Sequence, residues 1–186
     1  MLAPRPINAN TTARGERTRR IASQTDDSSS AFPCYIASVK ELHTEIVIAA
    51  SPERVWRELT DFAAYPQWNP LVPEASGEIV EGGRLRVKLS LSLDKRGVVM
   101  KPRLKTVSAN RELRWYGRLP IPGLFGGEHV FELEPAGDGT RFQQWERFSG
   151  ILVPLLRTMI DVKTKRGFEA MNVALKQRAE ATASSR

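Results

Sequence analysis

Leu85, Val87, Leu89, Leu91 and Leu93 share one parity, and Arg84, Arg86 and Lys88 hold the other. A period of two this regular predicts a strand over 85–93 with one buried face and one wet face. Asp94-Lys95-Arg96-Gly97 reads as a turn. A second alternation over 98–107 sends Val98, Met100 and Leu104 inward and Lys101, Arg103 and Lys105 outward. A turn near Ser108–Arg111 leads to Leu113, Trp115 and Leu119 inward, with Arg114, Tyr116 and Arg118 outward. A Pro/Gly-rich loop over 120–127 precedes a strand His129–Glu134. Ala136-Gly137-Asp138-Gly139 is a hairpin signal, and the last strand runs to about Phe148.

Helical spacing flanks this block. Residues 43–50 are β-rich and predict a first strand. Ser51 then offers an N-cap oxygen, Pro52 suits the first helical position, and Glu53 complements the helix dipole. Val55, Trp56, Leu59 and Phe62 recur at helical spacing, so one face is buried. Tyr65-Pro66 and Asn69-Pro70 stop the helix, because a residue before proline is pushed toward extended geometry. Residues 63–73 are then a short turn or a single helical turn. From 151 to 183, Leu152, Leu155, Leu156, Met159, Ile160, Phe168, Met171 and Leu175 predict one long amphipathic helix. Its stripe must bury against the sheet. The fold class is α+β, a curved antiparallel sheet wrapped around a long C-terminal helix.

Composition narrows the chemistry. The 186 residues suit one domain, over 43–183, plus a tail of low hydrophobicity at 1–40. The tail carries Arg5, Arg14, Arg17, Arg19 and Arg20 and reads as a disordered basic arm. Its Arg-, Ser- and Thr-rich character also fits a mitochondrial transit peptide in a eukaryotic source; otherwise the expectation is cytoplasmic. No apolar run reaches the ~18 residues of a membrane span. The single cysteine, Cys34, forms no internal disulfide and has no local base to activate it. Phosphate loops, nucleophile elbows, zinc-protease and paired-cysteine motifs are absent. No metal site and no cofactor are expected.

Six stretches carry a resemblance: Ala50-Ser51-Pro52-Glu53-Arg54-Val55-Trp56, Leu59-Thr60-Asp61-Phe62, Tyr65-Pro66-Gln67-Trp68-Asn69-Pro70, Gly127 to Leu133, Gly139-Thr140-Arg141-Phe142, and Glu146-Arg147-Phe148-Ser149-Gly150. In the order strand, helix, strands, long helix, the chain resembles the SRPBCC superfamily (START-like and birch-pollen-allergen-like proteins), in its polyketide cyclase/dehydrase and lipid-transport type. The resemblance implies a helix-grip fold with an apolar cavity. It also implies that Trp68 and Asn69 sit near the cavity mouth.

His129 and Glu146 are the candidate chemical pair. A loop at 136–139 that pairs Leu133 with Phe142 also sets Phe131 opposite Gln144 and His129 opposite Glu146. Directly opposed Cβ atoms lie roughly 4.5–5.5 Å apart. Such a pair suits general acid–base work, or simply orients a ligand; a one-residue bulge would separate it. Leu89, Leu91, Met100, Leu104, Trp115, Phe131, Phe142, Leu155 and Met159 are candidate walls of the cavity.

The outer sheet face stacks Arg84, Arg86, Lys88, Lys101, Arg103, Lys105, Arg114 and Arg118 on a chain of net charge +7. It reads as a solvated face, or as a dock for an anionic membrane. Nucleic acid is not expected, since only Tyr116 interleaves as a stacking residue. The leading reading is a non-catalytic binder or carrier of a small hydrophobic ligand, such as a lipid or polyketide. The alternative is a cyclase or dehydratase that moves protons with His129 and Glu146, and the third is a module like the activators of a chaperone ATPase.

Overall fold

The computed structural model describes residues 38–90 and 97–181. Cys34, Leu91, Leu93, Asp94 to Arg96, the last residues of the predicted helix and nearly all of the 1–40 tail lie outside that range.

Chain order begins with β1 (Val39–Ile48), α1 (Pro52–Thr60), a 3-10 turn (Phe62–Ala64) and α2 (Tyr65–Trp68). Of the seven strands before the next helix, the first six are β2 (Glu74–Ser76), β3 (Arg86–Leu89), β4 (Val98–Met100), β5 (Arg103–Ser108), β6 (Glu112–Arg118) and β7 (Gly126–Ala136). Then come β8 (Gly139–Ser149), α3 (Val153–Thr158), a π-helical segment (Met159–Thr164) and α4 (Lys165–Ala181). A five-stranded antiparallel sheet runs β1-β8-β7-β6-β5, and a three-stranded sheet runs β2-β3-β4. This is the expected α+β helix-grip architecture.

The long hairpin β7–β8 fixes the register. Ala136 pairs with Gly139 across a two-residue turn, and the ladder runs unbroken through Leu133–Phe142, Phe131–Gln144 and His129–Glu146. Gly137 takes φ +58°, the left-handed conformation such a turn demands. The bulge that would have separated the pair falls elsewhere, between β5 and β6 at Leu104/Thr106.

Several boundaries differ from expectation. The single strand expected over 98–107 is two. Pro102 lacks an N–H, so no ladder runs through it. Before Pro102 the chain pairs with β3; after it, with β6. The sheets meet here through the Arg84–Arg103 bridge and through Leu85 N–H donating to Pro102 O at 2.9 Å. Val98, expected inward, is 61% exposed. Ser51 begins α1 but makes no side-chain cap bond. Its hydroxyl instead holds the Glu53 carboxyl below the usual range.

The core lies between the concave face of the large sheet and the helices. Phe168, Met171, Leu175 and Ala179 of α4 are buried with Leu113, Phe131, Leu133 and Phe142 of the sheet, and Val55 and Leu59 of α1 join them. The expected single helix is interrupted. At about 100° per residue, Leu156 and Met159 would lie roughly a third of a turn from Phe168, Met171 and Leu175. The wide turn, in which Lys165 N–H reaches Ile160 O, absorbs about that angle. Both halves of the stripe then face the sheet. Leu155, about 100° round from Leu156, does not, and is 80% exposed.

Candidate functional site

Two glycines border a hollow in the concave face. Gly117 of β6 and Gly127 of β7 are directly paired, one step beyond the Trp115–His129 pair and on the same face. Trp115 and His129 fill their places; the glycine positions carry no side chain. A Cβ on Gly127 would collide with Glu146 Oε1, and one on Gly117 would lie 3.2 Å from Met100 Cε. The cavity is about 250 Å3. Leu71, Val87, Leu89, Val98, Met100 and Pro102 close one side. Trp115, Leu119, Phe125, His129, Glu146 and Phe148 form the sheet side, and Leu156, Met159, Thr164 and Phe168 the helical side. Among the described residues its wall is apolar except at His129, Glu146 and Thr164.

The imidazole of His129 is held between Phe131 and Phe168, with ring centroids at 4.4 and 4.8 Å, and Trp115 stands edge-on at 5.3 Å. That apolar sandwich strips water from the ring. Burial therefore pushes its pKa down to about 3, so His129 is neutral. Burial pushes the Glu146 carboxyl up to about 8, so it is protonated at neutral pH. Nδ1 of His129 lies 3.5 Å from Glu146 Oε2. The pair is thus not an ion pair but a neutral imidazole beside a neutral acid.

The tautomer follows from the third member. Gln144 Nε2 donates to His129 Nε2 at 2.9 Å and also points at Met171 Sδ. With Nε2 accepting, the ring proton sits on Nδ1 and faces Glu146 Oε2. The acid proton of Glu146 is then free for Oε1, which lies over Gly127 at the cavity. Behind Gln144, Asn172 Nδ2 donates to Thr44 Oγ1 at 3.1 Å, and Thr44 donates to the Gln144 carbonyl at 3.3 Å. Polar groups buried this deeply are held in place by such partners.

The other expected site residues divide into three groups. Leu89, Met100, Trp115 and Met159 line the cavity with the pair. Leu104, Phe131 and Phe142 are fully buried core, and Gln144 stands behind the imidazole. Trp68, Asn69 and Leu155 are not on the wall. Trp68 packs edge-on against Tyr65 and borders a separate, open groove of about 530 Å3 with Glu58, Gln67 and α4. That groove is the larger one, but its acid, Glu58, is already paired with Arg54 and Arg178. Asn69 is structural: its Oδ1 accepts from the N–H groups of Leu71 and Val72 at 3.1 and 2.8 Å. Leu155 faces solvent, and its neighbour Leu156 takes the expected place. Gly117 and Gly127 were not anticipated, although each falls at an inward position of its strand.

The model of the family described as polyketide cyclase/dehydrase and lipid transport matches residues 40–180. The chain belongs to this family. The cyclase/lipid-transport resemblance read from the sequence is thereby borne out. Among solved structures, an aromatase/cyclase from Streptomyces sp. R1128 is 16% identical at TM-score 0.63, over 77% of this family member and 94% of the other chain. A protein from Thermus thermophilus is 22% identical at TM-score 0.62, over 79% and 100% of the two chains. Ara h 8.0201 is 13% identical at TM-score 0.54, over 74% and 98%. These likenesses establish the shared fold. No curated protein matches the sequence. Among the described residues, no helix is long and apolar enough to cross a membrane.

Proposed function

We propose that this family member binds a small, mostly apolar ligand through a single polar atom. The observation that carries this reading is the mostly apolar cavity with one neutral acid, Glu146, on its wall. At about 250 Å3 the space sits just below the ~300–1,000 Å3 common for small-molecule sites. It suits one or two fused rings or a short acyl chain. Glu146 supplies a hydrogen-bond donor, so the favoured guest carries a carbonyl, phenol or enol oxygen. In a mostly apolar site such a bond discriminates strongly, because a guest lacking the oxygen leaves the donor unpaired.

Titration with 2-naphthol and with naphthalene, read by quenching of Trp115, tests this. Saturable uptake of both, with naphthol preferred, is expected. Glu146→Gln keeps a donor and should retain most of that preference; Glu146→Leu should abolish it. Absence of saturable uptake would overturn the reading.

The pair also favours a second reading, proton-transfer catalysis on a polyketide-like chain. An acid with pKa about 8 sits close to the operating pH, where a group both gives and takes protons readily. Here Glu146 would protonate an enolate oxygen while His129 fixes the carboxyl rotamer. A poly-β-keto thioester incubated with the protein should then yield aromatised product by mass spectrometry. Glu146→Gln should abolish that product while leaving naphthol binding intact.

A further inference from the structure

The eight cations expected on the outer face are not equivalent. Arg86 and Lys88 pair with Glu74, and Arg114 pairs with Glu112 and packs over the Trp145 ring. Arg84, Lys101, Arg103, Lys105 and Arg118 are all exposed and form no ion pair with a described residue. These five line one groove of about 430 Å3 with Tyr116, Leu119 and Pro120, and among the described residues no carboxylate lines it.

This groove adjoins the cavity. Along the chain, a cation outside falls between residues that line the cavity inside. Lys101 lies between Met100 and Pro102, and Arg118 between Gly117 and Leu119. Leu119 borders both spaces. At the same end stand apolar side chains that the fold leaves uncovered. Val98 is 61% exposed and itself lines the cavity; Ile121 is 64% exposed, in the loop between the lining residues Leu119 and Phe125. Leu155 is 80% exposed and adjoins the lining residue Leu156. Ile151, also exposed, is tied to the Ile121 loop through its N–H to Gly123 O at 3.0 Å.

We infer that this end of the molecule docks on a lipid bilayer carrying anionic headgroups, with the five-cation groove on the phosphates and the apolar residues dipping below them. An acidic protein surface would match the cations but leaves Val98, Ile121 and Leu155 unexplained. A bilayer satisfies both chemistries, because charge and greasy surface meet it at adjacent depths. Docking in this pose sets the cavity against the phase in which an apolar guest dissolves. The inference stands on the surface alone and does not depend on what the cavity holds.

Flotation of the full chain with vesicles of phosphatidylcholine, and of phosphatidylcholine mixed with phosphatidylserine, is the test. The chain should float only with the mixed vesicles. Lys101→Gln with Arg103→Gln should weaken that binding at least tenfold, since each cation near the surface is worth about 1 kcal/mol. Ile121→Ser with Leu155→Ser should weaken it while leaving its salt dependence unchanged. Arg86→Gln with Lys88→Gln, which removes cations already paired, should change it little. Equal binding to both vesicles would overturn the inference, as would no binding to either. So would binding untouched by Lys101→Gln with Arg103→Gln, which would assign it to the Arg-rich arm instead.

Discussion

Glu146 and His129 shift in opposite senses, and the consequence for stability is specific. Glu146 rises from 4.5 to about 8, and His129 falls from 6.5 to about 3. Between 4.5 and 6.5 the folded pair holds one proton, on Glu146, and the unfolded pair also holds one, on His129. Stability is therefore flat across that window. Above 6.5 the folded pair holds more protons, so stability falls with rising pH until Glu146 ionises near 8. Below 4.5 the unfolded pair holds more, so stability falls with falling pH down to about 3. Urea unfolding near pH 6.5 and near pH 8 should show the wild type losing on the order of 2 kcal/mol. Glu146→Gln should lose none of it; equal slopes would mean that Glu146 is ionised in the fold. The pairing behind this was legible because Gly137-Asp138 fixes the turn and the turn fixes every partner down the ladder. The hollow was not, since a glycine contributes nothing to a hydrophobic pattern. Gly117 and Gly127 matter through the atoms they lack.

Among the elements, the π segment explains why helical periodicity placed the C-terminal residues only in part. Phe168, Met171 and Leu175 were found because they lie on one undisturbed helix. Leu155 and Leu156 are adjacent and lie about 100° apart round α3, so one stripe holds only one of them, and the wide turn sets Leu156 in line with α4. A π turn is one residue more than a regular helix needs. Deleting Val162, which is 42% exposed, should convert the segment to regular α-helix and keep both stripes on the sheet. The expected result is a folded protein with unchanged or raised thermal midpoint. Thr164 would be drawn off the cavity wall, so naphthol affinity should fall. A collapse in circular dichroism on deletion would show that the wide turn is required for the fold. Trp68 gives a second lesson at this scale. The run 65–70 correctly predicts a stop and a turn, but spacing alone does not say that the turn leans toward α4 rather than toward β3.

The whole molecule keeps a void where a packed centre would be more stable. An unfilled site forfeits the dispersion contacts of its lining. Gly117→Ala should test how much is given up. The new methyl needs only the flexible end of Met100 to shift, from a contact of 3.2 Å. The expected gain is about 0.4–1 kcal/mol, read as a thermal midpoint higher by several degrees, together with weaker naphthol uptake. A lower midpoint would mean that the strand needs glycine for its backbone and not for the space beside it.

Because two facing glycines border the hollow, its dimensions are under unusually local control. Neither the long hairpin, the helices nor the acid need alter for the chain to accept a bulkier or a slimmer visitor. One methyl group more at 117, or a slimmer side chain in place of Met100 across from it, resets the fit. Guest preference in this scaffold can therefore drift by single steps while the architecture that surrounds it stays put.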